Sequence, residues 1–98
     1  MPKHAASRSD ATTVIAFLRG RGLRHLRARH RADLVTIESG PAKDPWPHAR
    51  LRRLGVDVWQ LEMATHTGRW EPTPLRGSQD RLLTILVDQF GWTLQSIE

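Results

Sequence analysis

Apolar and polar side chains alternate most clearly between Val58 and Met63. Trp59, Leu61 and Met63 fall on one parity, and Val58, Gln60 and Glu62 on the other. That period of two predicts a half-buried β-strand. The polar run Thr65-His66-Thr67-Gly68 follows, with a glycine where a turn needs positive φ. Arg69-Trp70-Glu71 then reads as a return strand that Pro72 and Pro74 terminate. Residues 56–72 are therefore expected to form a β-hairpin.

The same pattern organises the rest of the chain. Residues 1–8 are short, polar and aperiodic, and are expected to be a disordered tail. Ser9 or Asp10 is placed to cap a helix carrying Val14, Phe17 and Leu18, which Gly20 and Gly22 stop. Leu26 and Ala28 alternate with His25, Arg27 and Arg29, and Leu34 to Ile37 is apolar and β-branched. Two strands, at about 23–29 and 34–38 with a turn at 30–33, or one long bent strand, satisfy this pattern equally. Residues 39–47 contain three prolines and read as a loop, and His48–Leu54 as a further strand with Ala49 and Leu51 inward. At Ser78 the period changes to that of a helix. Leu82, Ile85, Leu86 and Phe90 form its stripe, with Asp80 in the first turn and Gly91 as its stop.

These elements predict an α+β domain over residues 9–98. It comprises a short N-terminal helix, an antiparallel β-meander of four or five strands, and a C-terminal helix packed on one sheet face. The expected core is Phe17, Leu26, Leu34, Ile37, Trp59, Leu61, Met63, Leu82, Ile85, Leu86 and Phe90. A length of 98 residues supports one modest core of this kind.

Charge changes the picture by pointing to a partner. Residues 1–53 hold 12 Lys/Arg and 4 Asp/Glu, net +8, whereas residues 54–98 are net −3. A basic face for an anionic partner follows; an arginine bias set by GC-rich coding is the competing explanation. Cysteine is absent, which excludes disulfides, thiol catalysis and thiolate-bound zinc. No apolar run is long enough to span a membrane, and the first residues lack the apolar segment of a secretory signal, so a cytoplasmic protein is expected.

Catalytic chemistry finds little support. The five histidines have no metal-ligand spacing, and no metal or other cofactor is expected. Glu38 ends a strand shortly before Pro41, a position suited to a metal-dependent nuclease or hydrolase, but Glu62 lacks the following lysine such a site needs. Glu38 therefore reads first as an acid paired with a nearby arginine. Ser39 and Ser78 have no neighbour in sequence that would activate them.

The order helix, strands, hairpin, helix is similar to that of double-stranded RNA-binding domains, which read A-form shape and phosphates. Their lysine cluster at the start of the second helix is missing, since that position reads Gly77-Ser78-Gln79-Asp80-Arg81. The chain also resembles a family of short uncharacterised bacterial proteins, a domain of unknown function. Ile37-Glu38 with Pro41, Asp44-Pro45, Val58-Trp59, Arg69-Trp70, Pro72 or Pro74, and the helix with Leu83, Leu86 and Asp88 carry that resemblance over residues 26–92. It implies a meander with a helix, and no activity.

The leading expectation is a non-enzymatic module that binds DNA or RNA through an arginine-rich sheet face: Arg24, Arg27, Arg29, Arg31, Arg50, Arg52 and Arg53. Trp46 and Trp70 are candidate stacking surfaces, with a latch over the core as the other role for Trp46. The alternative is a protein-interaction module or homodimer.

Overall fold

The computed structural model describes residues 4–65 and 67–94. Its elements are α1 (Arg8–Gly20), β1 (Arg27–Arg31), β2 (Leu34–Ser39), β3 (Trp46–Arg53), β4 (Trp59–Ala64), β5 (Trp70–Gly77), α2 (Gln79–Phe90) and a 3-10 turn at Gly91–Leu94. The five strands form one antiparallel sheet in chain order. The protein is thus an α+β meander with a helix at each end, as its periodicity predicts.

Both helices cover the same face of the sheet. The register sets Val35 opposite Leu51 and Leu51 opposite Leu61, so one parity of each strand forms a continuous apolar surface. Val14 and Leu18 of α1 and Leu82, Leu83 and Leu86 of α2 close over it in a single core. Trp59 and Leu61 are buried as expected. Leu34 is not core: it pairs with Arg52 on the opposite face, and Val35 takes the inward place. Leu34 and Ile37 are three apart, so a period of two cannot bury both on one face.

α1 starts at Arg8, inside the stretch expected to be a tail. Its cap is Ser7 rather than Ser9 or Asp10. Ser7 Oγ accepts from the Asp10 amide while the Asp10 carboxylate accepts from the Ser7 amide, a reciprocal pair that satisfies two otherwise orphaned donors. Ahead of the cap, Ala6 is buried and donates its amide to the Ala32 carbonyl. Residues 1–3 lie outside the described residues.

Other boundaries also differ from expectation. β1 covers Arg27–Arg31 rather than 23–29, so Arg31 is strand and not turn, and β3 begins at Trp46 inside the expected loop. β5 runs through Pro72 and Pro74 to Gly77 instead of stopping at them. It is an edge strand, where a missing amide on the outward side interrupts no ladder. At the other end of the chain, Gly91 is right-handed helical and does not terminate the turn. The chain continues as the 3-10 turn and buries Leu94, while Trp92 points outward at 73 % exposure. Residues 95–98 lie outside the described residues. In the β4–β5 turn His66 is likewise outside them; Gly68 supplies the positive φ and donates its amide to the Thr65 carbonyl.

Candidate nucleic-acid interface

With both helices on one side, no element among the described residues covers the other sheet face. Alternation places Arg27, Arg29 and Arg31 of β1 on that open face, because Ala28 between them pairs with buried Ile37. Arg29 lies opposite Thr36, Thr36 opposite Arg50, and Arg50 opposite Glu62. Arg52 and Gln60 form the next rung, with Arg76 beyond them on β5.

The centre of this face is already neutralised. Glu62, with 7 % of its side chain exposed, accepts hydrogen bonds from Arg50 Nε and, at 3.0 Å, from Arg52 Nε. Arg52 also reaches Asp33 at 3.1 Å. Burial alone would raise the Glu62 carboxyl, but the guanidinium hydrogen bonds of Arg52 and Arg50 outweigh it and hold the group below its ordinary value. Glu38 is paired with Arg29 at 3.5 Å, the arginine partnership its sequence position suggests. The β1 edge is different. Arg27, Arg29 and Arg31 are all exposed, and Arg27 donates only to a backbone carbonyl, that of Gly40.

Not every predicted residue joins this face. Arg53 pairs with Trp59 and so lies on the helix side. Its guanidinium donates to the carbonyls of Ala5, Gly55 and Val56 and lies 5.6 Å from the Trp59 ring centre. It ties the N-terminal segment to the β3–β4 turn and is removed from the arginine face. Arg24 is exposed in the turn before β1. Trp46 begins β3 and lies flat on Gly40, whose φ is +81° and where an added Cβ would come within 2.7 Å of the ring. This packing leaves Trp46 half-buried against the β2–β3 loop and outside the core, so it is not the expected latch over the core. Trp70 already carries a cation: Arg50 Cζ sits 4.3 Å from its ring centre.

Between β1 and Trp70 the face dips into a basin of about 390 Å³, with Arg29, Arg31 and Arg50 around the buried Glu38 and with Pro45, Pro47 and Trp70 as apolar walls. No family model, curated protein or solved structure matches the chain. The site therefore stands on its own geometry. Among the described residues, no group of three or more His, Asp or Glu is placed to hold a metal ion, and no helix is long and apolar enough to cross a membrane.

A β-bulge at Ile37/Glu38 shapes the basin. Glu38 pairs with Pro47 and Ile37 with Ala49, so His48 is the extra residue. It turns into the helix layer, and Glu38 and Pro47 are left on the open face. Bulges commonly re-aim side chains in this way. His48 Nδ1 donates to the Thr93 carbonyl at 2.7 Å, which leaves Nε2 to accept from Ser39 Oγ at 2.7 Å. Ser39 thus has the partner that its sequence neighbours did not reveal. Both residues are only 4 % exposed, so the pair braces the bulge against the 3-10 turn and is closed to a substrate.

Burial lowers the His48 pKa below its ordinary 6.5, against the opposing hydrogen bond to Thr93. A depressed histidine contributes stability that is complete above the unfolded value and is lost as pH falls below it. Urea midpoints should therefore fall as pH drops from neutrality through about 6.5, and this slope should flatten in His48→Gln. Glu62 acts in a separate, lower window, because its ordinary value is 4.5 and its folded value lies below that.

Proposed function

We propose that this protein is a non-enzymatic nucleic-acid-binding module whose open sheet face receives the phosphate backbone along β1. One observation supports this most directly. Arg27, Arg29 and Arg31 project from one exposed strand, whereas the acids of the same face, Asp33, Glu38 and Glu62, each already have an arginine partner. An added anion meets Arg27 and Arg31, which have no acidic partner among the described residues, and Arg29, which is shared with Glu38, while the centre is neutral. Successive arginines are separated by about 6.7 Å along the strand, a row suited to an extended backbone. The same charges also discourage edge-to-edge pairing of β1, and that is the role left to them if no polyanion binds.

Fluorescence anisotropy of labelled single strands and duplexes across a salt series tests the proposal. Log affinity should fall linearly with log salt, with a slope of about −0.7 per phosphate contact on single strands and −0.9 on duplex DNA. Absence of binding at low salt ends it.

A second reading has one observation of its own. Exposed Trp92 borders a groove lined by Met63, Ala64 and Phe90 on the helix side, and exposed Val56 caps the β3–β4 turn. Such a patch suits a protein partner or a second copy of the chain. A monomer by light scattering at high concentration removes the homodimer.

A further inference from the structure

The basin beside β1 differs from the rest of the open face in holding a carboxylate with spare capacity. Glu62 has its two oxygens engaged by two guanidinium hydrogen bonds. Glu38 is comparably buried, with 9 % of its side chain exposed, yet it meets a single guanidinium, Arg29, at 3.5 Å. A carboxylate offers about four lone-pair sites, so Glu38 retains acceptor capacity facing the basin it lines. Alternation along β2 puts it on the open face with Thr36, and the bulge sets Pro47 opposite it. Around it are planar or apolar surfaces, Pro45, Pro47 and Trp70, and cations, Arg29 and Arg31. The volume of about 390 Å³ is that of a small-ligand cleft.

Resting on the nucleic-acid reading above, we infer that this basin accepts one unstacked nucleobase and selects bases that present an amino group. Single-strand readers splay bases out, pack them on side-chain surfaces and hydrogen-bond their edges. A carboxylate accepts from an exocyclic amine such as cytosine N4. Thymine and uracil carry a carbonyl oxygen at that ring position, where two acceptors repel, and can reach the acid only by shifting to offer the single N3–H. Arg29 and Arg31 would hold the flanking phosphates, which keeps the base's sugar at the mouth of the basin. The charged rim thus supplies affinity and the buried acid supplies discrimination.

Anisotropy titrations with oligo-dC and oligo-dT strands of about 12 nucleotides, within the span a small sheet surface covers, test the inference at neutral pH and low salt. The wild-type protein should prefer oligo-dC by on the order of tenfold. Glu38→Gln keeps the side-chain volume and can present an amide N–H to thymine. It should bring the ratio close to one, with oligo-dT affinity unchanged or raised because a negative charge has gone. Equal wild-type affinity for the two strands overturns base selection while leaving the phosphate interface standing, and needs no variant to fold. A dC preference that survives in a folded Glu38→Gln variant also overturns it. Failure of both strands to bind the wild-type protein defeats this inference together with the reading it rests on.

Discussion

Glu62→Ala should destabilise the protein by about 3 kcal/mol, near the lower end of what removing one partner of a buried ion pair costs. The residue sits between two cross-strand arginines. Arg50 and Arg52 have 18 % and 34 % of their side chains exposed, so neither is free to turn fully into water. Without the carboxylate, two guanidinium groups remain side by side in a half-buried rung, with only Asp33 to compensate Arg52. Water still reaches Arg52, which keeps the cost below that of a fully dry pair. Urea unfolding followed by tryptophan fluorescence provides the measurement. A loss below about 1 kcal/mol would mean that the cluster behaves as an ordinary surface pair. The variant should also bind oligonucleotides more tightly wherever it remains folded, since two cations lose their internal partner.

The second large effect concerns binding. Replacing Arg27, Arg29 and Arg31 together by glutamine should weaken oligonucleotide affinity on the order of a hundredfold at low salt. The slope of log affinity against log salt should become shallower by about 2 for single strands, three contacts at about 0.7 each. Stability should fall by at most about 1 kcal/mol, because all three side chains are exposed and the one ion pair lost, Arg29–Glu38, has a largely solvated arginine. Arg53→Gln is the matched control. Its guanidinium lies on the helix side, holding three backbone carbonyls, so it should lower stability and leave the salt slope intact. An equal loss of slope per charge removed in the two variants would indicate binding governed by net charge rather than by the β1 row.

How far the chain could be read without coordinates depends on what each element asks of its neighbours. β4 and α2 follow from local periodicity alone, because each has one apolar face and strong end signals. β5 was obscured by Pro72 and Pro74, which exclude a central strand but not an edge strand; only the strand order decides which it is. The 3-10 turn after Gly91 was hidden for a similar reason. Glycine permits a left-handed stop without requiring one, and burial of Leu94 carries the chain onward.

The candidate site was legible in part. Alternation suffices to put Arg27 and Arg29 on one side; Arg31, expected in the turn, joins them because β1 runs on to Arg31. Alternation also separates Arg53 from Arg52, since neighbours on a strand face opposite ways; grouping all the arginines of residues 50–53 overlooked this. The pairing of Glu62 with Arg50 and Arg52 was not legible, because it depends on the β3–β4 register. Nor was the Ser39–His48 contact, because the bulge that turns His48 inward shifts the β2–β3 register by one residue. The Pro47 wall of the basin is a product of that same shift.

The location of binding is tested most directly by a two-dimensional NMR titration of the labelled protein with a short oligonucleotide, read at backbone amides and arginine Nε–H groups. Perturbations should concentrate on β1, on β2 around Glu38 and on the Arg50–Trp70 side of the basin, with α2 and Trp92 unmoved. Saturable shifts confined to α2 and the Trp92 groove would contradict the open-face interface.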